Sequence, residues 1–135
     1  MPRKDIEHTE FGKMLIEHIK QSTYGTANQF AKAHGTSSGY ISAVCTGLRT
    51  VNPTNLVPWA VGLGMKNGST MWRFIALGLL FHCPSPVRNV LIPDLTPPLA
   101  KALSAQLIQK YISEKGPIPL DLNDDTTIET IAQEE

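Results

Sequence analysis

The chain has 135 residues, 41% of them hydrophobic and 18% charged, which is material for one compact domain with an appendage and excludes a globally disordered polymer. Formal net charge is zero, yet residues 1–89 hold nine Lys/Arg against four Asp/Glu and residues 90–135 hold three against eight, so the front half suits phosphates and the back half avoids them. Two cysteines, Cys45 and Cys83, and a charged opening with no apolar segment behind it point to a reducing cytoplasm, and the apolar stretch Met71 to Cys83 falls short of the ~20 residues that a bilayer span needs.

Taken in chain order, the pattern is helical throughout. Thr9 can cap a first helix carrying Phe11, Leu15, His18 and Ile19 at helical spacing, and Gly25 breaks it. Thr26-Ala27-Asn28-Gln29 reads as a capping box that opens a short second helix to about Ala33. Gly35 supplies the left-handed backbone of a tight turn. A third helix at about 37–46 then places Ile41, Val44, Cys45 and Leu48 on one apolar face, with Ser37, Ser38 and Ser42 elsewhere on its surface.

Asn52-Pro53 reads as the cap and first position of a fourth helix through Leu63, with Pro58 forcing a late start or a kink. Ser69 or Thr70 opens a fifth helix through Phe81, apolar on nearly every side. Residues 84–98 contain Pro84, Pro86, Pro93, Pro97 and Pro98 and predict an extended connection. A last helix, about Leu99 to Glu114, aligns Leu99, Leu103, Leu107 and Tyr111, with Ile108 and Ile112 beside them. From Asp121 onward there are six acidic residues and no basic one, the pattern of a solvated tail. The expected fold class is all-α, divided into 9–65, a helical extension 66–118 and a flexible tail 119–135.

The segment from Ala27 to Thr46 meets three separate requirements of a helix-turn-helix: a small residue, Ala31, where two helices approach, Gly35 four residues on at the turn, and Ile41 and Val44 burying the second helix on the first. The run Phe30-Ala31-Lys32-Ala33-His34-Gly35-Thr36-Ser37-Ser38-Gly39-Tyr40-Ile41-Ser42, followed by Gly47-Leu48-Arg49 and Asn52-Pro53, resembles the lambda-repressor-like (Cro/XRE-type) helix-turn-helix family over residues 9–65. The resemblance implies a five-helix DNA-binding domain of bacterial or phage origin, acting as a transcriptional regulator of the repressor kind. Its third helix would enter the major groove, as a homodimer on a two-fold-related duplex site.

Carried onto this chain, the resemblance puts Ser37, Ser38, Gly39 and Ser42 at base-facing positions and Asn28, Gln29, Arg49 and Thr50 at phosphate-facing ones. Serine hydroxyls discriminate bases less sharply than bidentate Arg or Gln side chains. That chemistry keeps open a different class, a protein-interaction module such as an antitoxin or anti-repressor whose protein partner sits on the C-terminal half. The need to cover the apolar fifth helix assigns Trp72, Phe74, Leu77, Leu80, Leu103, Leu107 and Tyr111 to a dimer interface, the two sets meeting across two chains or, if the last helix folds back, within one.

No catalytic signature, cofactor or metal site is expected: the sequence has no nucleophile elbow or phosphate-binding glycine loop, and the adjacent pair His82-Cys83 lacks the second ligand pair of a zinc site. The expected location is cytoplasmic, at the nucleoid.

Overall fold

The computed structural model describes residues 8–118. The acidic tail expected at 119–135 lies outside the described residues. Among those described there are seven helices and no strand, α1 (Glu10–Gln21), α2 (Ala27–Ala33), α3 (Ser38–Thr46), α4 (Pro53–Gly62), α5 (Gly68–Leu80), α6 (Ser85–Leu91) and α7 (Pro97–Lys115), so the chain is all-α. No described helix is long and apolar enough to cross a membrane. The chain divides into two compact units, Met1–Val51 and Asn52–Glu135. The expected segment 9–65 therefore draws on both.

In the first unit, α1 and α2 each pack against α3. Phe11, Leu15, Ile19, Phe30, Ala31, Ile41, Val44 and Cys45 are buried, the apolar positions that helical spacing sets on the inner faces. Each start is a side-chain cap: Thr9 Oγ1 accepts from the Gly12 N–H at 3.0 Å, Thr26 Oγ1 from Gln29 at 3.2 Å and Ser37 Oγ from Tyr40 at 3.1 Å. α1 and α3 meet at one point. The Thr9 N–H donates to the Cys45 carbonyl at 2.9 Å, and a methyl at Gly12 would collide with the Cys45 carbonyl oxygen and come within 2.6 Å of its Cα. Burial pushes the Cys45 thiol up to about 11, so it sits there protonated, as a small apolar side chain.

α3 stops sooner than its apolar periodicity suggests. Gly47 takes φ +88°, its N–H donates to Val44 O at 3.2 Å and that of Leu48 to Ala43 O at 2.9 Å, which is the Schellman ending. Leu48 is therefore past the helix and 77% exposed, not part of the inner face with Ile41, Val44 and Cys45.

In the second unit, Asn52 caps α4, its Oδ1 accepting from the Thr54 N–H at 3.0 Å, with Pro53 in the first turn. α4 starts there rather than late, and Pro58 lies inside it. Asn67, not Ser69 or Thr70, caps α5: its Oδ1 takes the Thr70 N–H at 3.1 Å and the Ser69 hydroxyl at 2.8 Å. The stretch expected to be extended contains α6. Four of its five prolines occupy positions that need no N–H: Pro84 is the N-cap, Pro86 lies in the first turn of α6, and Pro97 and Pro98 lie in the first turn of α7, while Pro93 lies in the turn between the two helices.

α7 packs along α5, where Trp72, Ala76 and Ala100 form a buried cluster flanked by Leu95, Leu103 and Ile108. Trp72, Phe74, Leu77 and Leu80 are each no more than 6% exposed in the single chain. Within the single chain these four side chains face the interior. Leu103, Leu107 and Tyr111 keep partial exposure.

The Gly12 contact has a direct consequence. Gly12→Ala forces a methyl into backbone that cannot rotate away, so it should cost about 1–3 kcal/mol as overpacking does, even though alanine is the better helix former. Urea denaturation reads this; an unchanged midpoint would disprove the close approach.

Candidate nucleic-acid interface

The two short helices α2 and α3 are joined by four residues whose backbone is held at both ends. Gly35 takes φ +71°, a left-handed value that side chains disfavour. Its N–H donates to Lys32 O at 3.3 Å and the Thr36 N–H to Ala31 O at 2.9 Å. Ser37 then opens α3 as its cap. Phe30 and Ala31 on α2 and Ile41, Val44 and Cys45 on α3 are buried, so burial fixes which faces of the two helices remain outside.

All eight residues assigned to DNA are exposed: Asn28, Gln29, Ser37, Ser38, Gly39, Ser42, Arg49 and Thr50. Ser38 and Ser42 stand one turn apart on α3, and Gly39 stands three residues before Ser42, so the three share the outer side of the helix. Ser37 uses one oxygen lone pair on the cap, and its O–H donor is not consumed by that bond. The outer face of α3 thus offers small hydroxyls and no cation. Lys32 on α2 and Arg49 beyond α3 supply exposed positive charge nearby in sequence.

Two residues of this unit make contacts that periodicity passes over. Tyr40 on α3 donates its hydroxyl to the Thr50 carbonyl at 2.8 Å, and the Arg49 guanidinium lies 5.6 Å from the centre of the Tyr40 ring, within cation–π range. The stretch Leu48 to Thr50 is thereby tied back to the helix it follows. In the sequence Tyr40 stands between Gly39 and Ile41, and nothing local marks its partner ten residues on. His34 is the second: at the end of α2 it meets Tyr24, with Tyr24 Oη 3.3 Å from His34 Nε2, and its ring lies 4.5 Å from that of Phe30.

In the C-terminal unit a separate cleft of about 190 Å³ lies between α4 and α7, with Val57, Pro58, Leu107 and Tyr111 on its walls and Lys110, Glu114 and Lys115 at its rim. Lys110 and Glu114 pair at 2.8 Å in the open. Such an exposed pair adds little stability. Among the described residues, no group of three or more His, Cys, Asp or Glu side chains is placed to hold a metal ion.

No protein family, characterised protein or solved structure matches this chain.

Burial lowers the His34 pKa below its ordinary 6.5, because the ring loses water that would solvate its charged form. The unfolded chain takes up this proton near 6.5 and the folded chain only at lower pH. Stability should therefore be full above about pH 6.5, decline as pH falls through the interval down to the folded value, and level off below it. His34→Gln should flatten that decline. Urea midpoints measured from about pH 7.5 to about pH 5 check it, and parallel curves for the two proteins would contradict it.

Proposed function

We propose that residues 9–65 act as a lambda-repressor-like helix-turn-helix domain that binds duplex DNA and regulates transcription, with α3 as the recognition helix in the major groove. One observation carries the reading. The positions that the family resemblance gives to bases and phosphates are all exposed, while the alternate positions of the same two helices, Phe30, Ala31, Ile41, Val44 and Cys45, are buried. In this reading Ser38 and Ser42 meet base edges. Ser37 and Gly39 allow close approach at the start of α3, and Asn28, Gln29, Arg49 and Thr50 face the phosphates.

Arg49→Ala should weaken binding to specific and random duplexes alike and reduce the magnitude of the salt slope by roughly one unit, as loss of a single phosphate contact does. The double change Ser38→Ala with Ser42→Ala should instead weaken only the site recovered from a random-duplex selection, with an unchanged melt. Affinity titrations across salt concentrations measure both. Binding without salt dependence would overturn the DNA reading.

A regulator of this kind works as a homodimer on a two-fold site. With the α5 side chains interior, Leu103, Leu107 and Tyr111 are the assigned interface residues that retain surface. Leu107→Asp should turn a dimer into a monomer in sedimentation at micromolar concentration. A protein that is monomeric before the change would refute that interface.

The alternative, a protein-interaction module whose partner sits on the C-terminal half, is favoured by α6: it has no buried residue and exposes Val87 and Val90 at 44% and 64%. The DNA-binding reading gives that surface no role. It becomes the leading reading if salt-dependent duplex binding fails.

A further inference from the structure

The outer face of α3 carries hydroxyls that discriminate bases weakly, and the turn that follows the helix carries the most exposed large apolar side chain among the described residues, Leu48. Leu48 is 77% exposed, directly before the exposed Arg49. Its backbone is held firmly. The Leu48 and Arg49 N–H groups both donate to Ala43 O, at 2.9 and 3.2 Å, and two residues on the Tyr40 hydroxyl holds the Thr50 carbonyl at 2.8 Å. In a Schellman ending the side chain at this position usually folds against the last turn of the helix. Here it projects into water instead, at a hydrophobic cost that a partner surface would remove.

We infer that Leu48 is a specificity-determining residue that packs on the 5-methyl group of a thymine, with Tyr40 as the positioning residue that holds the turn 47–50 in place. The inference rests on the DNA-binding reading above and deepens it. Thymine is the one base whose major-groove edge presents a methyl group, and apolar side chains recognise it by contact. That methyl lies towards the wall of the groove, close to the backbone. A side chain adjacent to a phosphate-facing arginine can reach it. Because the turn is pinned at 43 and 50, little backbone freedom is lost on contact, which favours affinity.

The test uses the full-length protein on a duplex recovered by selection from random DNA, with each thymine in turn replaced by uracil, which lacks only the methyl. Wild-type protein should lose about four-fold in affinity at one thymine position per half-site, the worth of one buried methyl group. Leu48→Ala should bind the thymine duplex about as weakly as wild type binds the uracil one, and should be indifferent to the exchange. Tyr40→Phe keeps the ring under Arg49 and loses the bond to Thr50, so it should lower the thymine preference while leaving the salt slope unchanged. Equal uracil losses in wild type and Leu48→Ala, with salt-dependent binding intact, would overturn the role of Leu48 and leave the DNA reading standing. A full thymine preference in Tyr40→Phe would overturn the role of Tyr40. Failure of salt-dependent duplex binding would overturn the DNA reading and this inference with it.

Discussion

The N-terminal unit depends on the place where α1 touches the last turn of α3. The Thr9 N–H bonds to the Cys45 carbonyl, and Gly12 lets the two backbones approach to a distance that any side chain would prevent. Two demands meet in those few atoms. A helix leaves its last four carbonyls without helical partners, and a buried one must find a donor elsewhere. Thr9 supplies that donor while its hydroxyl caps α1. The contact therefore fixes the start of one helix and the end of another, and with them the point from which the turn 47–50 departs.

The exposed surface of that unit follows from the same constraint. With Ile41, Val44 and Cys45 turned inward, Ser38, Gly39 and Ser42 have no place except outside. Gly47 ends the helix before Leu48 can join the inner face. What results is a small, neutral, hydroxylated helix face next to a turn that offers an apolar side chain and a guanidinium. In the proposed DNA-binding role the hydroxyls would permit close approach, the cation would give sequence-independent attraction, and discrimination would fall to shape and to apolar contact.

Much of this was legible because caps and turns are local chemistry. The helix caps made by Thr9, Thr26 and Asn52 and the turns at Gly35 and Gly47 each join groups within a few residues of one another, so the sequence displays both partners together. The readings that failed needed information from elsewhere. Leu48 satisfies the apolar period of α3, but the left-handed Gly47 outranks periodicity. The five prolines of 84–98 read as an extended run because prolines break helices, yet in a first turn or at a cap they cost no hydrogen bond, and α6 uses that exception. Gly12 and Tyr40 act on backbone atoms 33 and 10 residues away, and no period or motif reveals such a partner.

The apolar α5 shows how a sound premise can admit two structures. A helix hydrophobic on all sides needs cover, and a second copy or a later segment of the same chain would serve equally. α7 supplies the cover through its small residues more than through its leucines: Ala100 and Ser104 are its buried positions, while Leu103, Leu107 and Tyr111 sit at the margin. Ala100 joins Ala76 beneath Trp72, and the Ser104 hydroxyl donates to Lys101 O within its own helix, so burying it leaves no polar group unsatisfied. Small side chains let two helices lie close, and the large ones then close the edges of the contact. Lys101, itself exposed, sets its ammonium over the Trp72 ring, 4.9 Å from its centre, within cation–π range. A stripe counted by hydrophobicity alone selects the leucines and overlooks the residues that determine how near α7 can come.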